Sequence, residues 1–172
     1  MIDYTLIKAA EAFATGAHCG VGQIRKYTGE DYIVHPIRVA TLVGEVKNAS
    51  TDMVRAALLH DVVEDTEVTI ETIEYFFGSR VSNFVSYLTK KTKQDYPGYN
   101  RRRLKEIEAA RLAQAPYEVQ TIKYADFIDN GPSIIQNDPE FAKVWIQEKN
   151  MAMEGMTRGD PELYNRALSI GW

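Results

Sequence analysis

Apolar residues recur along the chain at three- and four-residue intervals, and no stretch alternates as a half-buried strand would. Residues 2–14 are Ala-rich and set Leu6, Ala9, Ala10 and Phe13 on one stripe, predicting a helix that stops at Thr15-Gly16. Residues 35–46 read as a second helix, with Pro36 in its first turn and Ile37, Ala40, Leu42 and Val43 as its apolar contacts. After a loop at 47–50, Ser50 or Thr51 caps a helix over 51–63. Thr69 caps the next helix and Gly78 ends it; residues 81–90 follow, with Val81, Phe84, Val85 and Leu88 at buried spacing. The polar stretch 91–100, containing Pro97-Gly98, is a loop. Two helices, 101–113 and 117–128, are separated by Pro116. Asp138-Pro139 and Asp160-Pro161 each set a capping acid before a first-turn proline, announcing helices over 140–153 and 162–170. With no repeat, low-complexity tract or linker in view, the pattern predicts an all-α chain, one compact helical bundle over residues 1–172.

Composition narrows the function. The chain has 172 residues, 45% hydrophobic and 26% charged, as an ordinary globular domain does. A net charge of −4 lacks the basic excess of a nucleic-acid binder. The single cysteine, Cys19, excludes an internal disulfide and suits a reducing compartment. The opening MIDYTLIKAAEAF carries early acid and no long apolar run, unlike a signal peptide, and no stretch reaches the ~18 apolar residues of a membrane span. A cytoplasmic protein is expected.

The candidate chemistry is concentrated. There are three histidines, His18, His35 and His60, and His60-Asp61 stands late in the apolar run AALLHDVVED. Unpaired charge is costly in a buried helix, so this density of ionisable groups calls for partners or a metal. Alone, a His-Asp pair is equally a carboxylate fixing a tautomer. Context favours the metal. His35 opens one helix, Asp126 in IKYADFIDN sits on another, and helical bundles build metal sites from ligands on separate helices. His35, His60, Asp61 and Asp126 are therefore the candidate ligands. Two imidazoles and two carboxylates leave open positions on an octahedral ion, unlike a closed structural zinc site.

RKYTGEDYIVHPIRVA, ALLHDVVEDT and KYADFIDN, in this order, make the chain resemble the HD hydrolase domain of bacterial alarmone enzymes, over about residues 5–135. The small single-domain alarmone hydrolases match it best in size. They remove pyrophosphate from the 3′ position of guanosine tetra- or pentaphosphate, the nucleotides of the stringent response. The resemblance implies that His35, His60, Asp61 and Asp126 ligate one divalent ion per chain, Mn²⁺ in this family. Glu64 and Asp65 match its acidic pair beside the metal, which handles the attacking water. Arg25 and Lys26 match its basic substrate-binding pair, and Asn130 an asparagine near the nucleoside. The expected partner is thus a small phosphorylated nucleotide, with neither nucleic acid nor membrane involved. These residues contain no counterpart of the synthetase and regulatory blocks of the long alarmone enzymes, so degradation alone is implied.

Other residues keep two readings. Arg101-Arg102-Arg103 is a phosphate cluster or a solvated helix face, the second being commoner. His18, expected just past the first helix, packs, hydrogen-bonds or replaces His35 as a ligand. Tyr27 and Tyr32 stack on a purine or close over a core, and Lys123 pairs with a carboxylate or reaches a phosphate. The segment from His18 to Arg25 is longer than the family pattern, and Phe127 stands where that pattern often has a basic residue. These departures leave open a different nucleotide, such as a deoxynucleotide or a phosphorylated dinucleotide, or a non-catalytic nucleotide-binding module.

Overall fold

The computed structural model describes residues 2–92 and 94–171. Among them are ten helices and no strand, with one isolated antiparallel bridge between Ile24 and Asp31. The all-α expectation holds. The residues gather into two compact units, one up to Thr89 and one from Lys90 onward.

The first unit is built on α3, Thr51–Leu59, started by Ser50, whose side chain accepts from the Met53 amide. Every residue of α3 from Met53 to Leu59 is buried, and α1, α2 and α6 pack against it. Helix α1, Tyr4–Gly20, starts at an Asp3 cap and runs through Thr15-Gly16, where the sequence predicts its end. Gly16 meets open space and carries no positive φ, so nothing there stops a helix. The buried stripe is also rotated. Leu6 and Ala9 face solvent, whereas Ala10, Ala14 and His18 are inside. His18 therefore lies within the helix and not beyond it.

Helix α2, Val34–Gly44, buries His35, Pro36, Val39, Ala40 and Val43, while Ile37 is exposed. The predicted single helix over 51–63 is two: α3 ends at Leu59, His60-Asp61 forms a turn, and the short α4, Val62–Asp65, follows. Asp61, at φ −100° and ψ −7°, is where the helical path breaks. Helix α5, Ile70–Phe77, has the expected Thr69 cap and ends at Gly78, whose φ of 86° suits glycine. Helix α6, Ser79–Leu88, buries Val81, Phe84, Val85 and Leu88 as the spacing requires.

The second unit is built on α8, Tyr117–Asn137, buried without interruption from Val119 to Phe127. It runs nine residues beyond the expected end, through Gly131-Pro132. Glycine is needed there, because a Cβ on Gly131 would lie 2.6 Å from Ile170 Cγ2 and 3.1 Å from the Trp145 ring. Helix α7, Arg101–Gln114, is capped by Asn100, and its basic residues pair with acids. Arg101 forks onto Glu148 at 2.5 and 2.9 Å, and Arg102 and Arg103 reach Glu106. The triplet thus behaves as a charged helix face. Helices α9, Pro139–Gly155, and α10, Pro161–Ser169, start at Asp138 and Asp160 as predicted. Lys149 of α9 is 1% exposed and donates to the Ala167, Leu168 and Ile170 carbonyls at the end of α10.

Candidate metal centre

In the first unit, the fold sets three of the expected ligands around one oxygen. His35 is fully buried in the first turn of α2, and His60 and Asp61 occupy the α3–α4 turn. His60 Nε2 lies 3.1 Å and His35 Nε2 3.6 Å from Asp61 Oδ2. The two rings stand edge to face, 5.1 Å between centroids. The other nitrogen of His60 fixes its tautomer. Nδ1 is 2.7 Å from the Ala57 carbonyl, which can only accept, so Nδ1 carries the proton. Nε2 is then the ring nitrogen turned towards the Asp61 carboxylate oxygen. The two Nε2 atoms stand 3.1 and 3.6 Å from this oxygen, near enough to serve with it as ligands of one cation. Imidazole nitrogens with a carboxylate oxygen are a donor set that fits a divalent transition metal. A backbone carbonyl holding the ring's far side is the usual support of a metal-binding histidine.

The Tyr32 ring packs against His18 and His35, and its hydroxyl donates to Asp61 Oδ2 at 2.6 Å. Glu64 and Asp65 ride on α4 immediately after Asp61, Glu64 half-buried and Asp65 exposed. Asp65 Oδ2 accepts from Gln23 Nε2 at 2.9 Å, and Gln23 Oε1 lies 2.7 Å from His18 Nδ1. Sequence reasoning passed over Gln23, whose only signal was its place in the overlong segment after His18. Arg25 and Lys26 lie in the same loop: the Arg25 amide donates to the Glu30 carbonyl, and Lys26 Nζ to the Tyr27 hydroxyl at 3.0 Å.

In the second unit, Asp126 is buried on α8 with both carboxylate oxygens engaged. Lys123 Nζ donates to Oδ2 at 2.8 Å and Asn130 Nδ2 to Oδ1 at 2.6 Å. Lys123 thus pairs with a carboxylate, one of its two expected roles, and the partner the structure gives Asn130 is Asp126. Glu108 of α7, overlooked in the sequence, approaches Lys123 at 4.0 Å and takes Lys105 at 2.7 Å. Burial pulls the Lys123 pKa down, but Asp126 and Glu108 outweigh it and hold the ammonium above the ordinary lysine range. Burial likewise raises Glu108, yet Lys123, Lys105 and Lys90 bring it below the usual carboxylate value. Phe127 packs edge-on to Trp145, with the Lys123 ammonium 5.1 Å above its ring.

Residues 10–143 match the family model described as HD domain. The chain belongs to the HD-domain family. HD-domain hydrolases act with a divalent metal ion. This HD chain is 34% identical over 138 residues, 80% of its length, to a probable guanosine-3′,5′-bis(diphosphate) 3′-pyrophosphohydrolase of Synechocystis, covering 18% of that protein. It is 36% identical over 124 residues, 72% of its length, to the guanosine-3′,5′-bis(diphosphate) 3′-pyrophosphohydrolase of Aquifex aeolicus, covering 17% of it. The chain therefore spans less than a fifth of the length of these curated relatives. A solved structure, described as a metazoan ortholog of SpoT that hydrolyzes ppGpp, superposes with a TM-score of 0.85 at 23% identity. The likeness covers 99% of this chain and 96% of that one, and it establishes the HD all-α fold. No helix among the described residues is long and apolar enough to cross a membrane.

Proposed function

We propose that this HD chain is a divalent-metal phosphohydrolase that releases pyrophosphate from the 3′ position of guanosine 3′,5′-bis(diphosphate). The observation that carries this reading is the facing of His35 Nε2, His60 Nε2 and Asp61 Oδ2, in a family whose relatives here bear that activity in their names. His35, His60, Asp61 and Asp126 hold one divalent ion, taken as Mn²⁺ from the resemblance to the alarmone hydrolases. The two units then act as one HD domain, a reading supported by a family match that runs unbroken across residues 89 and 90.

When bound, the ion would supply a Lewis acid that neutralises phosphoryl charge and favours loss of a proton from water. The chain's own residues do the rest. Glu64 takes the proton of the attacking water, with Asp65 beside it on α4. Water adds to the phosphorus bonded to the 3′ oxygen, that P–O bond breaks, and the 3′ oxygen leaves with a proton. Arg25 and Lys26 bind the phosphate groups. Asn130 and Lys123 fix both oxygens of Asp126, and Asn130 acts on the nucleoside from that position. A cytoplasmic setting suits both this substrate and the lone exposed cysteine.

A different phosphorylated nucleotide is the second reading. The buried, apolar Phe127 beside Asp126 favours it, because the alarmone pattern often has a cation there. One experiment separates the two. The Mn²⁺-loaded chain is offered guanosine 3′,5′-bis(diphosphate), deoxynucleoside triphosphates and phosphorylated dinucleotides, and its products are separated by ion exchange. Pyrophosphate from the first alone supports the alarmone reading; orthophosphate or pyrophosphate from another nucleotide supports the second. Tight binding of every nucleotide without turnover at any metal would contradict both.

A further inference from the structure

The segment between α1 and Arg25, longer than the family pattern, has a defined fold. The Gln23 amide donates to the His18 carbonyl at 3.1 Å and the Gly22 amide to the Cys19 carbonyl at 3.0 Å. Gly22, at φ 64°, takes the left-handed position between them. This paired six-to-one and five-to-two bonding is the Schellman ending of a helix. It turns the chain back on the last turn of α1 and sets the Gln23 side chain beside His18.

The donors and acceptors in this chain of side chains run in one direction only. Asp65 accepts, so the Gln23 end that faces it is the amide nitrogen, and Oε1 faces His18. His18 Nδ1 must then carry the proton. His18 is 1% exposed, and its ring leans on Tyr32 at 4.7 Å between centroids, so its position is set by packing. Burial lowers its pKa, outweighing the raising effects of Gln23, Asp61 and Asp65, which suits a neutral ring donating from Nδ1. Asp65 itself is exposed on a four-residue helix, so little else constrains its rotamer.

We propose that Gln23, anchored by the buried His18, is a positioning residue that holds the Asp65 carboxylate for its work on the attacking water. The inference rests on the reading of Asp65 given above. His18 acts through Gln23, and neither touches the substrate.

The test is a double-mutant cycle on the Mn²⁺-loaded full chain, using the panel nucleotide that the wild type turns over fastest. Gln23→Met keeps the side-chain length and removes the amide. It should lower kcat about tenfold to a hundredfold, the usual range for residues that orient a reacting group. KM, Mn²⁺ affinity and thermal midpoint should stay close to wild type. In an Asp65→Asn background the same substitution should change kcat less than about twofold, because the group it positions is already disabled. His18→Asn keeps a donor near the Nδ1 position and should retain most activity, whereas His18→Phe should match Gln23→Met. Asp65→Asn impaired with Gln23→Met at wild-type kcat would overturn the positioning role and leave Asp65 standing. Equal losses from Gln23→Met in both backgrounds would do the same. Wild-type kcat in Asp65→Asn would instead remove the reading of Asp65 and this inference with it.

Discussion

Replacing Lys149 with methionine removes a buried ammonium and keeps an unbranched stem of similar length. Lys149 Nζ uses all three donors on backbone carbonyls, Ala167 at 2.8 Å, Leu168 at 3.2 Å and Ile170 at 2.7 Å. These carbonyls lie at the end of α10, where intrahelical partners run out, and Ala167 also accepts from the Ile170 amide at 3.4 Å. A buried acceptor left without a partner costs about 1–3 kcal/mol. The Ala167 carbonyl loses a bond in a buried setting but keeps the longer one from Ile170, so its loss is about 1 kcal/mol, the bottom of that range. The other two bonds are only partly buried, so water replaces much of them and each loss is about 0.5 kcal/mol. Relief from ammonium desolvation opposes the loss, and this burial already draws the Lys149 pKa below its ordinary value. The expected net destabilisation is about 1–2 kcal/mol. Urea unfolding followed by far-UV circular dichroism measures it, with an unchanged m-value showing that the same surface unfolds. A loss below about 1 kcal/mol, or a gain, would refute the reasoning by showing that desolvation balances the three bonds.

Three further outcomes follow from the geometry. Gly159→Ala would set a Cβ 2.4 Å from the Tyr124 ring and 2.9 Å from the Thr121 backbone nitrogen, which cannot move alone. It should destabilise by about 1–3 kcal/mol in a thermal melt, and a neutral result would contradict the packing described. Glu108 has a folded-state pKa below its unfolded value, so its stabilisation is present above the unfolded carboxylate pKa of about 4.3 and is lost as pH falls through the lower folded value. Glu108→Gln should therefore flatten the acid limb of stability against pH, measured by urea unfolding below about pH 4.3, and an unaltered limb would count against the ion pair. Glu64→Gln should lower kcat about 10²- to 10⁴-fold while Mn²⁺ still binds, as expected for loss of a proton acceptor; wild-type turnover would take Glu64 out of the mechanism.

Much of this protein was legible in its residues, and the failures share causes. Caps announced themselves: Ser50, Thr69, Asp138 and Asp160 each accept the amide bonds that start a helix. Helix ends read from composition were less secure. Thr15-Gly16 reads as a stop, yet Gly16 takes no positive φ and α1 runs on through it, while α8 passes its expected end at 128 through Gly131, which is small to admit Ile170 and Trp145. The break at His60-Asp61 was hidden because AALLHDVVED keeps helical apolar spacing through the turn. The candidate ligands of the first unit were readable because buried ionisable groups are rare and need a reason. Their supports were not. Gln23, Tyr32 and Glu108 are ordinary polar residues in sequence, and their roles arise from folded contacts with Asp65, Asp61 and Lys123.

The proposed centre holds one divalent cation on His35, His60, Asp61 and Asp126. Titration of the purified, metal-free chain with Mn²⁺, followed by the loss of the free-ion paramagnetic resonance signal, tests it most directly. One ion per chain should bind to the wild type, with affinity reduced at least about tenfold in each of His60→Ala, Asp61→Ala and Asp126→Ala. Wild-type affinity in Asp126→Ala, or no ion bound by the wild type, would contradict it.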